Sequence, residues 1–98
     1  MQFVITAYDG PNMLEKRMEV RPRHLQNLSR LKGNILCAGG ILDEEGKMKG
    51  SVLIMEFDDR AGLDRYLASE PYITEHVWEK VKVDPMNVVI LNGEKVGK

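Results

Sequence analysis

Two side chains in this sequence are placed to move a proton from inside an apolar surface. His24 lies in Arg21-Pro22-Arg23-His24-Leu25, early in a predicted helix. At about 100° per residue, Leu28 falls about 40° to one side of it and Leu31 about 20° to the other. The imidazole therefore sits within the leucine stripe. A neutral imidazole near an apolar surface can serve as a general base at working pH. A core histidine bonded to a backbone carbonyl fits the same spacing. Glu70 is the natural companion. It follows the stripe of Leu63 and Leu67 on a second predicted helix, about 20° from Leu63, directly before Pro71-Tyr72. A carboxylate beside the imidazole would orient it and stabilise its protonated form. A solvated carboxylate at a helix end is the plainer alternative.

The remaining candidates are weaker. Gly39-Gly40 and Gly50-Ser51 face each other across a predicted hairpin. Strand glycines mark a bulge or a close approach by a ligand, and Ser51 could donate a hydrogen bond there. The spacing is not that of a phosphate loop. Arg21 and Arg23 could meet an anionic substrate, or be solvated at a helix start. Cys37 alternates into a strand interior, where a free thiol is a small hydrophobe. His76, near Glu75 and Trp78, reads as a rim residue. No histidine, cysteine and carboxylate spacing matches a metal site, and none calls for a cofactor.

The elements that must carry these residues follow from periodicity. Residues 2 to 8 alternate as a strand, with Phe3, Ile5 and Ala7 on one face. Asp9-Gly10-Pro11-Asn12 is a turn. Residues 13 to 20 read as a short helical turn, because Pro22 restricts Arg21. Pro22 then suits the first turn of a helix to about Lys32, stopped by Gly33-Asn34. Residues 35 to 42 form a strand, with Ile35, Cys37 and Ile41 on one face and Leu36, Ala38 and Leu42 on the other. A connection over 43 to 47 leads to a third strand, 49 to 57. A helix over 60 to 69 has Asp58 or Asp59 as its cap, and Pro71 opens a further turn. A last strand over 78 to 91 is interrupted at Asp84-Pro85, which implies an edge or a bulge. Residues 92 to 98 read as a loose tail.

The order is β-α-β-β-α-β, the ferredoxin-like α+β pattern of a four-stranded antiparallel sheet with both helices on one face. Residues 1–98 fit one domain. Two helices cover only one sheet face, yet the second strand is apolar on both and the first and third nearly so. The uncovered face calls for a partner, most simply a second copy of the chain. With 43% hydrophobic and 30% charged residues, the composition is that of an ordinary globular protein. A net charge of −1 gives a nucleic-acid partner no electrostatic support. No apolar run approaches the ~18–20 residues that span a bilayer. The first residues lack a secretory pattern and the lone cysteine allows no internal disulfide, so the expected location is cytoplasmic.

Read in order, several segments resemble the YciI-like proteins: Phe3 to Tyr8, Leu14-Glu15-Lys16-Arg17, and Arg21-Pro22-Arg23-His24-Leu25. Ala38-Gly39-Gly40, Gly50-Ser51, Glu56-Phe57, Glu70-Pro71-Tyr72 and Val81-Lys82-Val83-Asp84-Pro85 continue the match. No one motif is specific; the ordered set is, and it spans nearly the whole chain. The resemblance implies a dimeric α+β barrel and a site centred on a His-Asp dyad. The histidine carries over onto His24, and the aspartate onto Glu70. This chain thus departs from the pattern by one methylene. It also carries Glu75-His76 where relatives have a small Ala-Gly pair. One branch is similar to a dehydrochlorinase of chlorinated hydroxyquinols. The implied activity is cofactor-independent elimination or isomerisation on a small, possibly cyclic or phenolic molecule. His24 would move the proton and Glu70 orient it, with Gly39, Gly40, Ser51, Tyr72 and Arg21 contacting substrate. The alternative is a non-catalytic dimer that binds a metabolite or a protein.

Overall fold

The computed structural model describes all 98 residues. The elements are β1 (Gln2–Asp9), α1 (Leu14–Ser29), β2 (Ile35–Leu42), β3 (Met48–Glu56), α2 (Arg60–Ser69), α3 (Pro71–Thr74), β4 (Trp78–Met86), β5 (Ile90–Leu91) and β6 (Glu94–Lys95). The first four strands to be placed pair antiparallel in the order β2-β3-β1-β4. This is the ferredoxin-like α+β architecture that the alternation of periods implies. Phe3, Ile5 and Ala7 of β1 and Leu53 and Met55 of β3 point to one side of the sheet. There they bury against Val20 and Leu28 of α1 and Leu63 and Tyr66 of α2. Asp59 caps α2 by accepting from the Gly62 N–H at 3.0 Å. Pro85 lies on edge strand β4, where its missing N–H leaves no ladder bond unmade. No helix is long and apolar enough to cross a membrane.

Three expectations are corrected. First, α1 is one continuous helix from Leu14, with Pro22 inside it rather than at its start. An interior proline costs roughly 3 kcal/mol or more. Burying Val20 and Leu28 returns about 1.5–3 kcal/mol each. Pro22 also points to water, and the Met18 carbonyl it leaves unpaired lies on a half-exposed turn. Packing therefore overrides the proline signal.

Second, the faces of β2 do not alternate straight through. Ile35 pairs with Met55 but Cys37 pairs with Ile54, so Leu36 is a bulge. Ile35 is thus on the helix side and Cys37 on the other, where its thiol is exposed rather than interior. The same shift brings Ala38 and Gly40 to the helix side, opposite Leu53 and Ser51.

Third, the expected loose tail carries half of a small ribbon. β5 pairs with β6 around Asn92-Gly93, at φ 52° and 78°. Two successive positive φ angles make the type I′ hairpin turn that Asn-Gly favours.

Candidate functional site

A single α1 turns four side chains toward the core: Arg17, Val20, His24 and Leu28. Over this helix Arg17 lies about 20° from His24 in projection, so both occupy one stripe. Directly beneath them, α2 ends and α3 begins at Glu70, which is fully buried. His24 Nδ1 stands 2.6 Å from Glu70 Oε1. The same oxygen accepts the Tyr72 backbone N–H at 3.0 Å. The other, Oε2, accepts the Tyr66 hydroxyl. Two donors besides the imidazole already point at this carboxylate, and an ionised carboxylate only accepts, so the arrangement suits the tautomer in which Nδ1 of His24 carries the proton. Nε2, on the far side of the ring, makes no bond within the chain.

Aromatic rings fix the imidazole plane. Tyr72 stacks on it with centroids 4.1 Å apart, and Trp78 meets it edge-on at 6.1 Å. Arg17 lies 4.6 Å from the centre of the same Tyr72 ring. Its guanidinium donates to both Asp9 oxygens, at 2.8 and 3.1 Å, and to Ser51 Oγ at 2.7 Å. Because Ser51 Oγ accepts there, its own proton is free to donate elsewhere. Burial raises the Asp9 carboxyl above its ordinary range, against the opposing pull of Arg17. Burial likewise raises the Tyr72 phenol, opposed by Arg17 and Arg21 and assisted by Asp9 and Glu70. Tyr66 is pushed far up, first by burial, then by the Glu70 charge and by the bond it donates to that carboxylate.

Arg17, His24, Ser51 and Tyr72 open onto a cavity of about 130 Å³ between α1 and the β2–β3 hairpin. At ~30 Å³ per water it has room for about four waters, the scale of one small ring. Its walls include Arg17, Arg21, His24, Gly40, Ser51 and Tyr72. A larger cleft of about 480 Å³ lies at the other end of the helices, lined mainly by polar side chains and without the imidazole. Of the two, the smaller cavity is the one that His24, Arg17, Arg21 and Ser51 line. No three or more histidine, cysteine or carboxylate side chains converge as a metal centre would require.

Residues 1–87 match the YCII-related domain. The chain belongs to that family. It is 37% identical to an uncharacterised protein of Haemophilus influenzae, over 91% of this chain and 99% of the relative. It is 34% identical to the protein YciI of Escherichia coli, with the same coverage of both. Among solved structures it is similar to the 5-chloro-2-hydroxyhydroquinone dehydrochlorinase TftG of Burkholderia phenoliruptrix, in complex with 2,5-dihydroxybenzoquinone. That likeness has a TM-score of 0.81 at 26% identity, covering 88% of this chain and 93% of the other. The YCII-related subunit accordingly has the fold of the dimeric α+β barrels and a scaffold that supports small-molecule enzymes.

Within this YCII-related chain, the structure brings together every residue singled out for the site. His24 and Glu70 touch, and Arg21, Gly39, Gly40, Ser51 and Tyr72 line the cavity beside them. The two glycines differ in role. A Cβ on Gly40 would meet Met48 Sδ at 3.3 Å, so the missing side chain there admits Met48. A Cβ on Gly39 would meet nothing. Gly50 is structural, because a Cβ would collide with the Ala7 carbonyl across the ladder. Arg23 is turned to Glu75 on the surface at 3.6 Å, and His76 is exposed. Arg17 and Tyr66 were missed. Starting the helix at Pro22 cut Arg17 from the stripe that it shares with His24. Tyr66 was read only as core, although it stands four residues before Glu70 on one helix face.

Proposed function

We propose that the chain is a cofactor-independent enzyme in which His24 Nε2 takes a proton from a small cyclic substrate. The observation that carries this reading is the 2.6 Å contact of His24 Nδ1 with the buried Glu70 carboxylate, which leaves Nε2 as the accepting nitrogen. Glu70 keeps the ring in that tautomer and stabilises the imidazolium once formed. In a keto tautomer of such a ring, the electron pair of the broken C–H bond moves onto the carbonyl oxygen. Arg21, which has no ion-pair partner, and the free Ser51 proton are suited to receive that oxygen's charge. Expulsion of a leaving group then completes an elimination. Return of the proton to another carbon completes an isomerisation. Gly39, Gly40 and Tyr72 shape the wall and hold the ring.

The likeness to TftG supports hydroxylated six-membered rings as the substrate class. Chloride release from 5-chloro-2-hydroxyhydroquinone tests it. The expected result is release catalysed by the native chain, and a loss of about 10²–10⁴-fold in kcat/KM in His24→Asn. Catalysis unchanged in that variant contradicts the reading. So would a native chain that neither turns over this compound nor binds 2,5-dihydroxybenzoquinone.

The working unit in this reading is a homodimer of residues 1–98, closed through the sheet face opposite the helices. Val4 and Thr6 of β1, Val52 and Ile54 of β3 and Cys37 of β2 lie there without a helix above them. A single cysteine, which allows no internal disulfide, fits a reducing, cytoplasmic location.

A further inference from the structure

We propose that Tyr66 is a positioning residue for the His24–Glu70 pair: its hydroxyl, donated to Glu70 Oε2, fixes the glutamate arm and sets how strongly Oε1 holds the imidazole. The proposal rests on that pair being the acid/base centre. A glutamate has one more rotatable bond than an aspartate. Fixing such a buried arm costs rotamer entropy. One oxygen alone would leave the carboxylate free to swing about its last torsion. Here both oxygens are engaged, by donors on two different elements. Oε1 receives the Tyr72 N–H at the start of α3, and Oε2 receives the Tyr66 hydroxyl from α2. The tyrosine precedes the glutamate by four residues, so the helix stacks the two side chains on one face.

The bond does more than hold. A donor on Oε2 draws charge from the carboxylate and weakens the pull of Oε1 on the imidazole proton. The Tyr66 ring is 3% exposed and packs in the main core, so the hydroxyl is presented by a ring that does not move. Burial and the neighbouring carboxylate keep the phenol protonated well above neutral pH, so it stays a donor wherever the imidazole works.

The test reads the Hδ1 proton of His24 by NMR in the ligand-free chain. Tyr66→Phe keeps the ring and removes the donor, so the resonance should move downfield as the Oε1 bond strengthens. Site-specific 3-fluorotyrosine at position 66 keeps the ring and donates more strongly, so the resonance should move upfield. Opposite displacements support the proposal, since a packing defect has no reason to change sign. An unmoved resonance in both, with only a lower Tm in Tyr66→Phe, overturns it. Should Tyr66→Phe fail to fold, the fluorinated chain decides alone, because it retains shape and hydroxyl. Glu70→Gln separates the two readings. If it leaves Hδ1 where it was, the His24–Glu70 pair falls and the tyrosine's role with it. If it moves Hδ1 while both position-66 variants do not, the tyrosine's role alone falls.

Discussion

The two faces of the sheet differ in how their side chains are covered and partnered. On the helix side, Arg17, His24, Ser51 and Glu70 are buried, and each is held by a named partner. On the opposite side, Val4, Val52 and Ile54 are only half covered and Cys37 is exposed. Buried polar groups are costly unless saturated, and uncovered apolar groups are costly unless an assembly covers them. One face is thus partnered within a single chain, save for the buried Arg17 Nε and Trp78 Nε1, and the other is not. The contrast separates the residues proposed for the site from those proposed for the assembly.

The partnered face should break hardest. Arg17→Met leaves the Asp9 carboxylate buried without its cation, and removing one partner of a buried pair costs about 3–5 kcal/mol. Urea unfolding measures it. The loss carries a pH signature. A carboxyl raised in the folded state holds its proton more tightly than in the unfolded chain. Stability therefore falls as pH climbs above the ordinary carboxylate value of 3.8. The variant should lose more at pH 8 than at pH 5, and an equal loss at both would place the damage in packing.

The unpartnered face should respond in the opposite manner. Ile54→Lys changes a half-covered site, so the stability of the isolated subunit should move by no more than about 0.5 kcal/mol. Association should fall at least about 100-fold, because a desolvated lysine would face its own copy across the two-fold axis. Sedimentation at micromolar concentration reads it. A native chain that sediments as a monomer removes the assembly half of the comparison.

Smaller effects sharpen the contrast. Tyr66 and Tyr72 both titrate above the usual phenol value when folded. Their contribution to stability is complete below pH ~10 and is lost as pH rises further. Their tyrosinate absorbance should therefore appear together with the loss of near-UV circular dichroism. Smallest is Asp59→Ala, which removes the α2 cap for about 1 kcal/mol and leaves the His24 environment unchanged.

The last strand runs unbroken through Asp84-Pro85 and ends at Met86 rather than at 91. Alternation and turn residues were nonetheless enough to place the first three strands, the α2 helix and the edge position of Pro85, because each is a local signal. Pro22 misled for the same reason. Its local preference ends a helix, and only the stripe from Arg17 to Leu28, buried by a sheet distant in sequence, keeps α1 whole. The bulge at Leu36 was equally hidden, since register belongs to the partner strand and not to β2. His24 and Glu70 were legible as outliers in apolar stripes, and the family resemblance made them a pair. Arg17 was not legible, because its meaning depends on Asp9 and Ser51 arriving from two other strands.

The central claim is that His24 is locked at one nitrogen and open at the other. Imidazole ¹⁵N NMR during addition of 2,5-dihydroxybenzoquinone tests it directly. The Nε2 resonance of His24 should shift as the ligand enters the cavity, while Nδ1 keeps its proton and its bond to Glu70. A ligand that binds but leaves the His24 ring unperturbed, with its shifts instead in the larger cleft around Arg30 and Arg65, would contradict it.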